Sequence, residues 1–330
     1  MRRPGPAVIL AMLVVMAVAT AVVGPRIGTS GASLEQVFWS IRMPRLVMGM
    51  LAGMALSLAG MTFQAIFRNP LASPFTLGVA SGASLAAALA IRLNVSGLWW
   101  AISVRIGLAF AGAMATVLLV YAIARARRGF GSTTLLLAGV SLSFVCSAGI
   151  VLIQFFSREH ETTQIVRWLM GSVEVIGRTG WLTMIPAAAL IMLGAGIVWR
   201  LHRDLDLLMM GDLTAASRGV SVGRSRGLAY FAASVMTASV VAICGPIAFV
   251  GLIVPHIMRV IIGPSHAWLA PGCLLAGMVF LPVCDGIAQN LMGWATGSSL
   301  QMPVGVVTSI LGGLFFLYLL LAKRGDRTNI

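Results

Sequence analysis

Arg42 and Arg45 are the two residues whose type and spacing most directly suggest chemistry in this sequence. They lie three positions apart, so a helix would place both side chains on one face. Guanidinium groups bind carboxylates through paired hydrogen bonds, which suits the acidic surface of an incoming protein. Arginines at the end of an apolar helix also anchor that helix among lipid headgroups. The residues alone support the two interpretations equally.

A nucleotide-binding motif and a histidine-based metal motif are missing from the sequence. Lys323 is the single lysine, and the residues before it do not form the GxxxxGK[ST] phosphate loop of an ATPase. No HExxH pattern occurs, and the four histidines are dispersed. The four cysteines lie inside apolar stretches without CxxC spacing. The sequence therefore predicts no catalytic residue, no metal site and no cofactor of its own, and an intramembrane enzyme is unsupported.

Acidic residues separate the transport mechanisms that remain. A proton- or sodium-coupled carrier places ionisable groups within its membrane spans, where each is costly and marks a pathway. Of the nine acidic residues, Asp285 alone falls in a predicted span, near its outer end. A structural hydrogen-bond partner is the favoured interpretation of Asp285. A metal-ion or ion-coupled secondary transporter is a weaker alternative.

The composition requires lipid as the solvent for most of the chain. Of 330 residues 59% are hydrophobic and 10% are charged, and the mean hydropathy is +0.97. A soluble domain of this size carries a more polar surface. The net charge of +14 is scattered between apolar runs rather than gathered in one stripe, so nucleic acid is not an expected partner.

Apolar runs predict about ten transmembrane helices, each needing roughly 20 residues. They lie near 6–24, 45–66, 76–91, 106–124, 133–156, 180–199, 227–244, 247–262, 269–288 and 303–322. The eighth is interrupted by prolines and glycines, which predicts a short or broken helix shielded by its neighbours. Gly49, Gly53 and Gly60 share nearly one face and predict close helix packing.

Basic residues predict the orientation of these spans. With the N-terminus inside, the inner loops receive 15 of the 23 basic residues and the outer loops receive 8. This asymmetry fits the positive-inside rule and predicts that both termini are cytoplasmic. The count needs the first apolar run, which also resembles a signal peptide, to be a retained span.

Two polar connections interrupt a chain that otherwise forms a single transmembrane domain, residues 1–330. The outer one, residues 157–179, predicts a helix end followed by a short interfacial helix at about 165–179. The inner one, at about 200–226, is long enough for two short helices separated by glycine. It is interpreted either as a docking surface for a cytosolic partner or as an ordinary loop.

Several motifs resemble those of one transporter family. They are RMPRLVMGMLAGMALSLAGMTFQAIFRNPLASPFTLGVASGAS at 42–84, LLLAGVSLSF at 135–144, WLMGS at 168–172, GPIAFVGLIVPHIMR at 245–259 and PVGVVTSILGGLFFLYLL at 303–320. In this order and spacing, the sequence is identified as a member of the FecCD permease family, whose members import ferric siderophores, haem and cobalamin.

The resemblance implies an all-α integral membrane protein with the BtuC-like fold of type II ABC importers. It implies a dimer in the bacterial inner membrane, most simply a homodimer, with the transport pathway along the interface. Two cytosolic ATPase subunits, which bind ATP and Mg, would dock below, and a periplasmic or lipid-anchored binding protein would deliver an iron chelate from above. Ferric siderophore is the first expectation, then haem, then cobalamin.

The resemblance also implies roles for individual residues. Arg42 and Arg45 match positions that bind glutamates of the binding protein. The matches to the cytoplasmic gate are Asn69, Leu71, Thr133 and Thr134. The matches to the segment that couples to the ATPase are Gly211, Asp212, Ala215, Arg218 and Gly219.

Three positions depart from the family pattern at the outer side and in the last helix. Gln289 stands where an arginine is usual, Gln301 where a glutamate is usual, and Leu314 where a proline is usual. The sequence predicts that these changes leave the fold intact and make the outer docking surface less conventional.

Overall fold

The structure is a computed structural model that describes residues 5–26, 37–95, 97–99, 102–126, 132–174, 177–296 and 301–325. Within these ranges the chain is almost entirely helical. The α-helices are α1 Pro6–Val23, α2 Met43–Phe67, α3 Val79–Arg92, α4 Val104–Ala126, α5 Ser132–Phe155, α6 Glu159–Leu169, α7 Gly177–Arg200, α8 His202–Met210, α9 Asp212–Ser217, α10 Val222–Cys244, α11 Val250–Ile262, α12 His266–Thr296 and α13 Val304–Gly325.

Short elements complete the described chain. A π-helical turn, Phe38–Arg42, leads into α2. Two 3₁₀ turns lie at Gly24–Arg26 and Pro74–Leu77. The strands Leu98–Trp99 and Ile102–Ser103 pair in antiparallel fashion between α3 and α4.

Ten of these helices are apolar, and they correspond to the ten predicted segments. Seven are long and apolar enough to cross a membrane, and α3, α11 and α13 contain shorter apolar stretches. The predicted all-helical fold is confirmed. The eighth segment is the short helix that the sequence predicted: Gly245 and Phe249 adopt positive φ angles of 69° and 67°, so the helix begins only at Val250.

Helices α2 and α10 form the centre of the bundle. In each, 78% of the most apolar window is buried, compared with 17% in α1 and α5. Helix α2 packs against α12, α10 and α11. The apolar outer faces of α1 and α5 fit a lipid environment, where an exposed apolar side chain carries no penalty.

Glycines allow α2 to touch its neighbours backbone to backbone. A Cβ atom added to Gly53 would lie 2.0 Å from the carbonyl oxygen of Gly277 in α12. One added to Gly60 would lie 1.9 Å from the carbonyl oxygen of Gly251 in α11. Between these crossings the Ser57 hydroxyl donates to the carbonyl oxygen of Cys273 at 2.7 Å. The close packing predicted for Gly53 and Gly60 is confirmed.

The two polar connections contain short helices. The two connections lie at opposite ends of the bundle in the orientation that the charges predict. We call these the outer end and the inner end. At the outer end the helix is α6, Glu159–Leu169, which lies earlier than the predicted 165–179. The backbone N–H of Arg158 donates to Glu161 at 2.9 Å and caps its start, and Gly171, at φ 69°, follows its end. At the inner end α8 and α9 are separated by Gly211.

Candidate functional site

A buried ion pair lies at the outer end of α2. Arg45 donates from Nε to Oδ2 of Asp285 at 2.8 Å and from Nη2 to Oδ1 at 2.9 Å. The two side chains are 12% and 7% exposed. This bidentate geometry joins α2 to α12 and is the strongest form of an arginine–carboxylate pair. Asp285 is thus a structural hydrogen-bond partner, as the sequence favoured.

Gln289 and Gln301, which the sequence analysis treated separately, meet at this ion pair. Gln289 Nε2 donates to Asp285 Oδ2 at 2.7 Å, and Arg45 Nη1 donates to Gln301 Oε1 at 2.9 Å. We call Arg45, Asp285, Gln289 and Gln301 the outer clasp. It joins α2, α12 and the segment before α13. One sequence signal was available for it, because Gln289 follows Asp285 by one helical turn.

Arg42 lies one helical turn before Arg45 but contacts a different part of the chain. Its Nη1 donates to the carbonyl oxygen of Pro25, which follows α1, at 3.1 Å. The side chain is part-buried. The two predicted docking arginines therefore differ: Arg45 is bound within the outer clasp, and Arg42 lies against the end of α1.

The predicted gate residues lie at the beginnings and ends of helices. Asn69 follows α2, and its Oδ1 accepts the backbone N–H of Leu71 at 2.9 Å, which forms a tight turn. The Leu71 side chain is 56% exposed. Thr133 and Thr134 occupy the first turn of α5, where Thr133 is exposed and Thr134 is half-buried. Helices α2 and α5 contact each other.

The predicted coupling residues surround α9. Gly211, at φ 122°, and Gly219, at φ 83°, occupy backbone conformations that favour glycine at both ends of this helix. Ala215 is buried, Arg218 caps the helix end and is exposed, and Asp212 begins the helix.

An exposed apolar surface accompanies these residues. Leu213 is 89% exposed and Met210 is 66% exposed. Both flank Gly211 at the inner end, where the predicted orientation puts water rather than lipid. Exposed apolar side chains outside the lipid layer mark a contact surface for another protein.

Asp212 binds two arginines that come from different helices. Its Oδ1 accepts from Nη2 of Arg226 in α10 at 2.6 Å and lies 3.3 Å from Nη2 of Arg68, which follows α2. The hydrogen bond from Arg226, with the charges of Arg226 and Arg68, holds the pKa of Asp212 below its ordinary value. Sequence reasoning missed both arginines, since neither lies near Asp212 in sequence.

A second carboxylate ties the inner segment to the bundle. The backbone N–H of His266, the first residue of α12, donates to Oδ1 of Asp206 in α8 at 2.9 Å, and its ring Nδ1 contacts the same oxygen. His266 is fully buried. Burial raises the pKa of Asp206, but the hydrogen bonds from His266 outweigh it and the net shift is downward. Helix α8 is thereby fixed to α12.

Two neighbouring cavities of about 400 and 340 Å³ share three lining residues, and we call the two together the groove. Phe75, Leu169 and Pro246 line both. The remaining lining residues are Ala80, Ser81, Ser84, Ser147, Ile150, Val151, Gln154, Met170, Ala248, Gly305, Val306, Ser309 and Ile310. The groove thus lies between α3, α5, the end of α6, the segment before α11 and the start of α13.

The groove is apolar with scattered neutral polar groups. Its polar side chains are four serines and one glutamine, and none of the lining residues is charged. No group of three metal-ligating side chains occurs among the described residues. Metal ions bind to carboxylates, imidazoles or thiolates. The lining of the groove therefore offers no set of metal ligands.

The comparisons with known proteins agree with this arrangement. Residues 6–322 match the FecCD transport family. The chain is 34% identical over 299 residues to the hemin transport system permease protein HmuU of Yersinia pestis, covering 90% of this chain and 86% of HmuU. It is 40% identical over 288 residues to the Fe(3+) dicitrate transport system permease protein FecD of Escherichia coli, covering 87% and 86%.

A solved structure shows the same fold. It is an inward-facing conformation described as a metal-chelate type ABC transporter, with a TM-score of 0.84 and 30% identity, covering 95% of this chain and 99% of that one. The apolar helices and the similarity to permease proteins define a multi-pass membrane permease. The chain belongs to the FecCD transport family.

Proposed function

We propose that this chain is the transmembrane permease subunit of a binding-protein-dependent ABC importer that carries an iron chelate across the bacterial inner membrane. The observation that carries the cargo class is the uncharged groove between α3, α5 and α13. The relatives named for haemin and ferric dicitrate handle iron within an organic ligand. A ferric siderophore is the first candidate here, then haem, then cobalamin.

The energy for transport comes, in this proposal, from two cytosolic ATPase subunits that hold ATP and Mg. The exposed Met210 and Leu213 beside Gly211 support a docking surface at the inner end. A periplasmic or lipid-anchored binding protein delivers cargo at the outer end. A second permease copy closes the groove, and alternating access follows from motion of the two copies relative to each other.

The cargo test uses the cognate binding protein. Its thermal unfolding is measured with a ferric siderophore, haem and cobalamin, because a ligand at a hundredfold excess over Kd stabilises a protein by about 2.7 kcal/mol. Uptake of the stabilising ligand is then measured in vesicles that contain this chain, the ATPase and the binding protein. Uptake that needs neither ATP nor the binding protein would contradict the proposal and favour an ion-coupled carrier.

A test of the docking role of Arg42 and Arg45 must separate loss of docking from loss of the outer clasp. Arg42→Glu reverses a charge outside the clasp and should weaken binding-protein docking while leaving membrane insertion intact. Arg45→Glu also breaks the clasp, so its effect alone is ambiguous. The exchange Arg45→Glu with Asp285→Arg keeps an ion pair between α2 and α12.

The exchange separates the two roles of Arg45. If Arg45 contacts the binding protein, docking stays weak in the exchanged protein. Recovery of docking would show that Arg45 acts through the clasp. Unchanged docking and uptake in the Arg42→Glu, Arg45→Glu double variant would remove both residues from the docking surface.

A further inference from the structure

Asp212 links the ATPase-facing helix to the gate segment through one arginine. Asp212 is the first residue of α9, whose neighbour Leu213 is 89% exposed. Arg68 Nη2 lies 3.3 Å from its Oδ1. Asn69, a predicted gate residue, follows Arg68 directly in the chain, and the predicted gate residue Leu71 comes two positions after Asn69. Helix α9 is therefore connected to Asn69 by the ion pair between Asp212 and Arg68 and by the peptide bond between Arg68 and Asn69.

The other arginine on Asp212 provides a fixed point. Arg226 lies in the central helix α10, its side chain is 3% exposed, and its Nη2 donates to the same Oδ1 at 2.6 Å. The side chain of Arg68 is more exposed, at 39%. Arg226 and Arg68 thus share one carboxylate oxygen of Asp212. Arg226 belongs to the core of the bundle, and Arg68 precedes the predicted gate residue Asn69.

The backbone of Arg68 connects α2 to the turn at Asn69 and has an uncommon conformation. Arg68 ends α2 in a left-handed conformation, at φ 51° and ψ 35°, which is uncommon for a residue with a Cβ atom. Its N–H is bonded to Ala65, and the Asn69 N–H is bonded to Gln64. The Asn69 side chain then holds Leu71. A displacement of Arg68 consequently moves the turn that carries Asn69 and Leu71.

We propose that Arg68 is a positioning residue that relays movement of α9 to the gate segment 68–71 through its ion pair with Asp212. The proposal rests on the proposed function, in which an ATPase moves α8 and α9. Ion-pair attraction falls with distance. Motion of α9 relative to α2 therefore strengthens or weakens the hold of Asp212 on Arg68, and the ion pair with Arg226 limits how far Asp212 moves.

The experiment measures gate movement without needing the natural cargo. Leu71→Cys is introduced into the complete transporter, and its labelling by a charged maleimide is measured with and without ATP and vanadate. The four native cysteines are buried, so their background labelling should be low. ATP hydrolysis and copurification of the ATPase are measured on the same samples.

In the Leu71→Cys background, Arg68→Gln should reduce the ATP-dependent change in labelling roughly fivefold or more, the usual scale of coupling between sites. ATP hydrolysis and subunit assembly should persist. Arg68→Lys, which keeps the charge, should retain part of the response. Arg125→Gln is the matched control, because Arg125 is an exposed arginine at the inner end of α4.

Two outcomes would overturn the proposal. An unchanged labelling response in Arg68→Gln would show that the gate moves without this ion pair. Loss of assembly in both Arg68→Gln and Arg68→Lys would show that Arg68 holds the bundle together. Failure of the unsubstituted chain to bind an ATPase would instead refute the proposed function, so the two failures are distinguishable.

Discussion

At the scale of single residues, the charged groups pair with each other at the two ends of the bundle. Asp285 binds Arg45 at the outer end, and Asp212 binds Arg68 and Arg226 at the inner end. A charge removed from water needs such a partner, because an isolated buried ion is costly. The ion pairs therefore position helices as well as presenting charge.

Asp285→Asn should destabilise the protein strongly. It leaves Arg45, whose side chain is only 12% exposed, without its counter-charge, and breaking a buried pair costs about 3–5 kcal/mol. The measurement is unfolding in detergent. Arg92→Gln is the control, because Arg92 and Glu161 are 3.7 Å apart and the Arg92 side chain is 40% exposed; its loss should cost at most about 1 kcal/mol. Equal effects of the two substitutions would contradict this view of the outer clasp.

Asp212 should make stability depend on pH in the acid range. Its pKa in the folded protein lies below the ordinary value of 3.8, so the folded state binds protons less readily than the unfolded state. The stabilisation is fully present above about pH 4 and is lost as the pH falls through the folded pKa.

The comparison is between the unsubstituted chain and Asp212→Asn, unfolded at a series of pH values. Their difference in unfolding free energy should be level near neutral pH and shrink in acid. It should reach about 1–3 kcal/mol, because the substitution leaves Arg226, whose side chain is 3% exposed, without its charged partner. The attraction to Arg68 adds little, since water screens that exposed pair. A difference that grows as the pH falls would contradict the assignment.

At the scale of elements, the bundle depends on helices that pack without intervening side chains. Helix α2 crosses α12 at Gly53 and α11 at Gly60. Helices α8 and α9 are short and attached by carboxylates, Asp206 to His266 and Asp212 to Arg226. Close helix packing at glycines thus holds the core together, and hydrogen bonds and ion pairs hold the inner segment to it.

Gly53→Ala should weaken the contact between α2 and α12. The added Cβ would lie 2.0 Å from the Gly277 carbonyl oxygen, so the helices must separate, and overpacking of this kind costs about 1–3 kcal/mol. Gly196→Ala in α7 is the control, since its Cβ would meet nothing within 4 Å. Thermal unfolding in one detergent compares them. Equal melting temperatures would show that the helices adjust without cost.

At the scale of the whole molecule, the proposed function makes this chain a passage with two docking ends and places the source of energy in other subunits. The groove is uncharged, and the sequence lacks a phosphate loop. Relatives of this chain are named as permease proteins of transport systems. Energy and much of the cargo recognition are therefore assigned to other subunits in the proposed function.

The purified chain, reconstituted alone in vesicles, should neither hydrolyse ATP nor accumulate an iron chelate against a gradient. Addition of the ATPase and the binding protein should produce both activities. The measurements are phosphate release and uptake of a radiolabelled ferric siderophore. Accumulation of the iron chelate by the chain alone would contradict the proposed function.

Much of the fold could be predicted from the sequence. The ten apolar segments, the broken helix before Val250 and the two short helices around Gly211 follow from hydrophobic length, proline and glycine, which act locally. Boundaries were less certain: α6 lies at Glu159–Leu169 because its capping contact and Gly171 set its ends, whereas the polarity of the connection suggested a later start.

Composition and short-range pattern were enough to predict a helical membrane protein without a phosphate loop, because those properties are local. The pairing of Arg45 with Asp285, the meeting of Gln289 and Gln301 and the contact of Arg68 with Asp212 became visible in the folded chain alone. These contacts join residues as many as 256 positions apart. Side chains so distant in sequence come into contact only when helix packing brings the ends of the helices together. A local sequence pattern therefore does not predict these contacts.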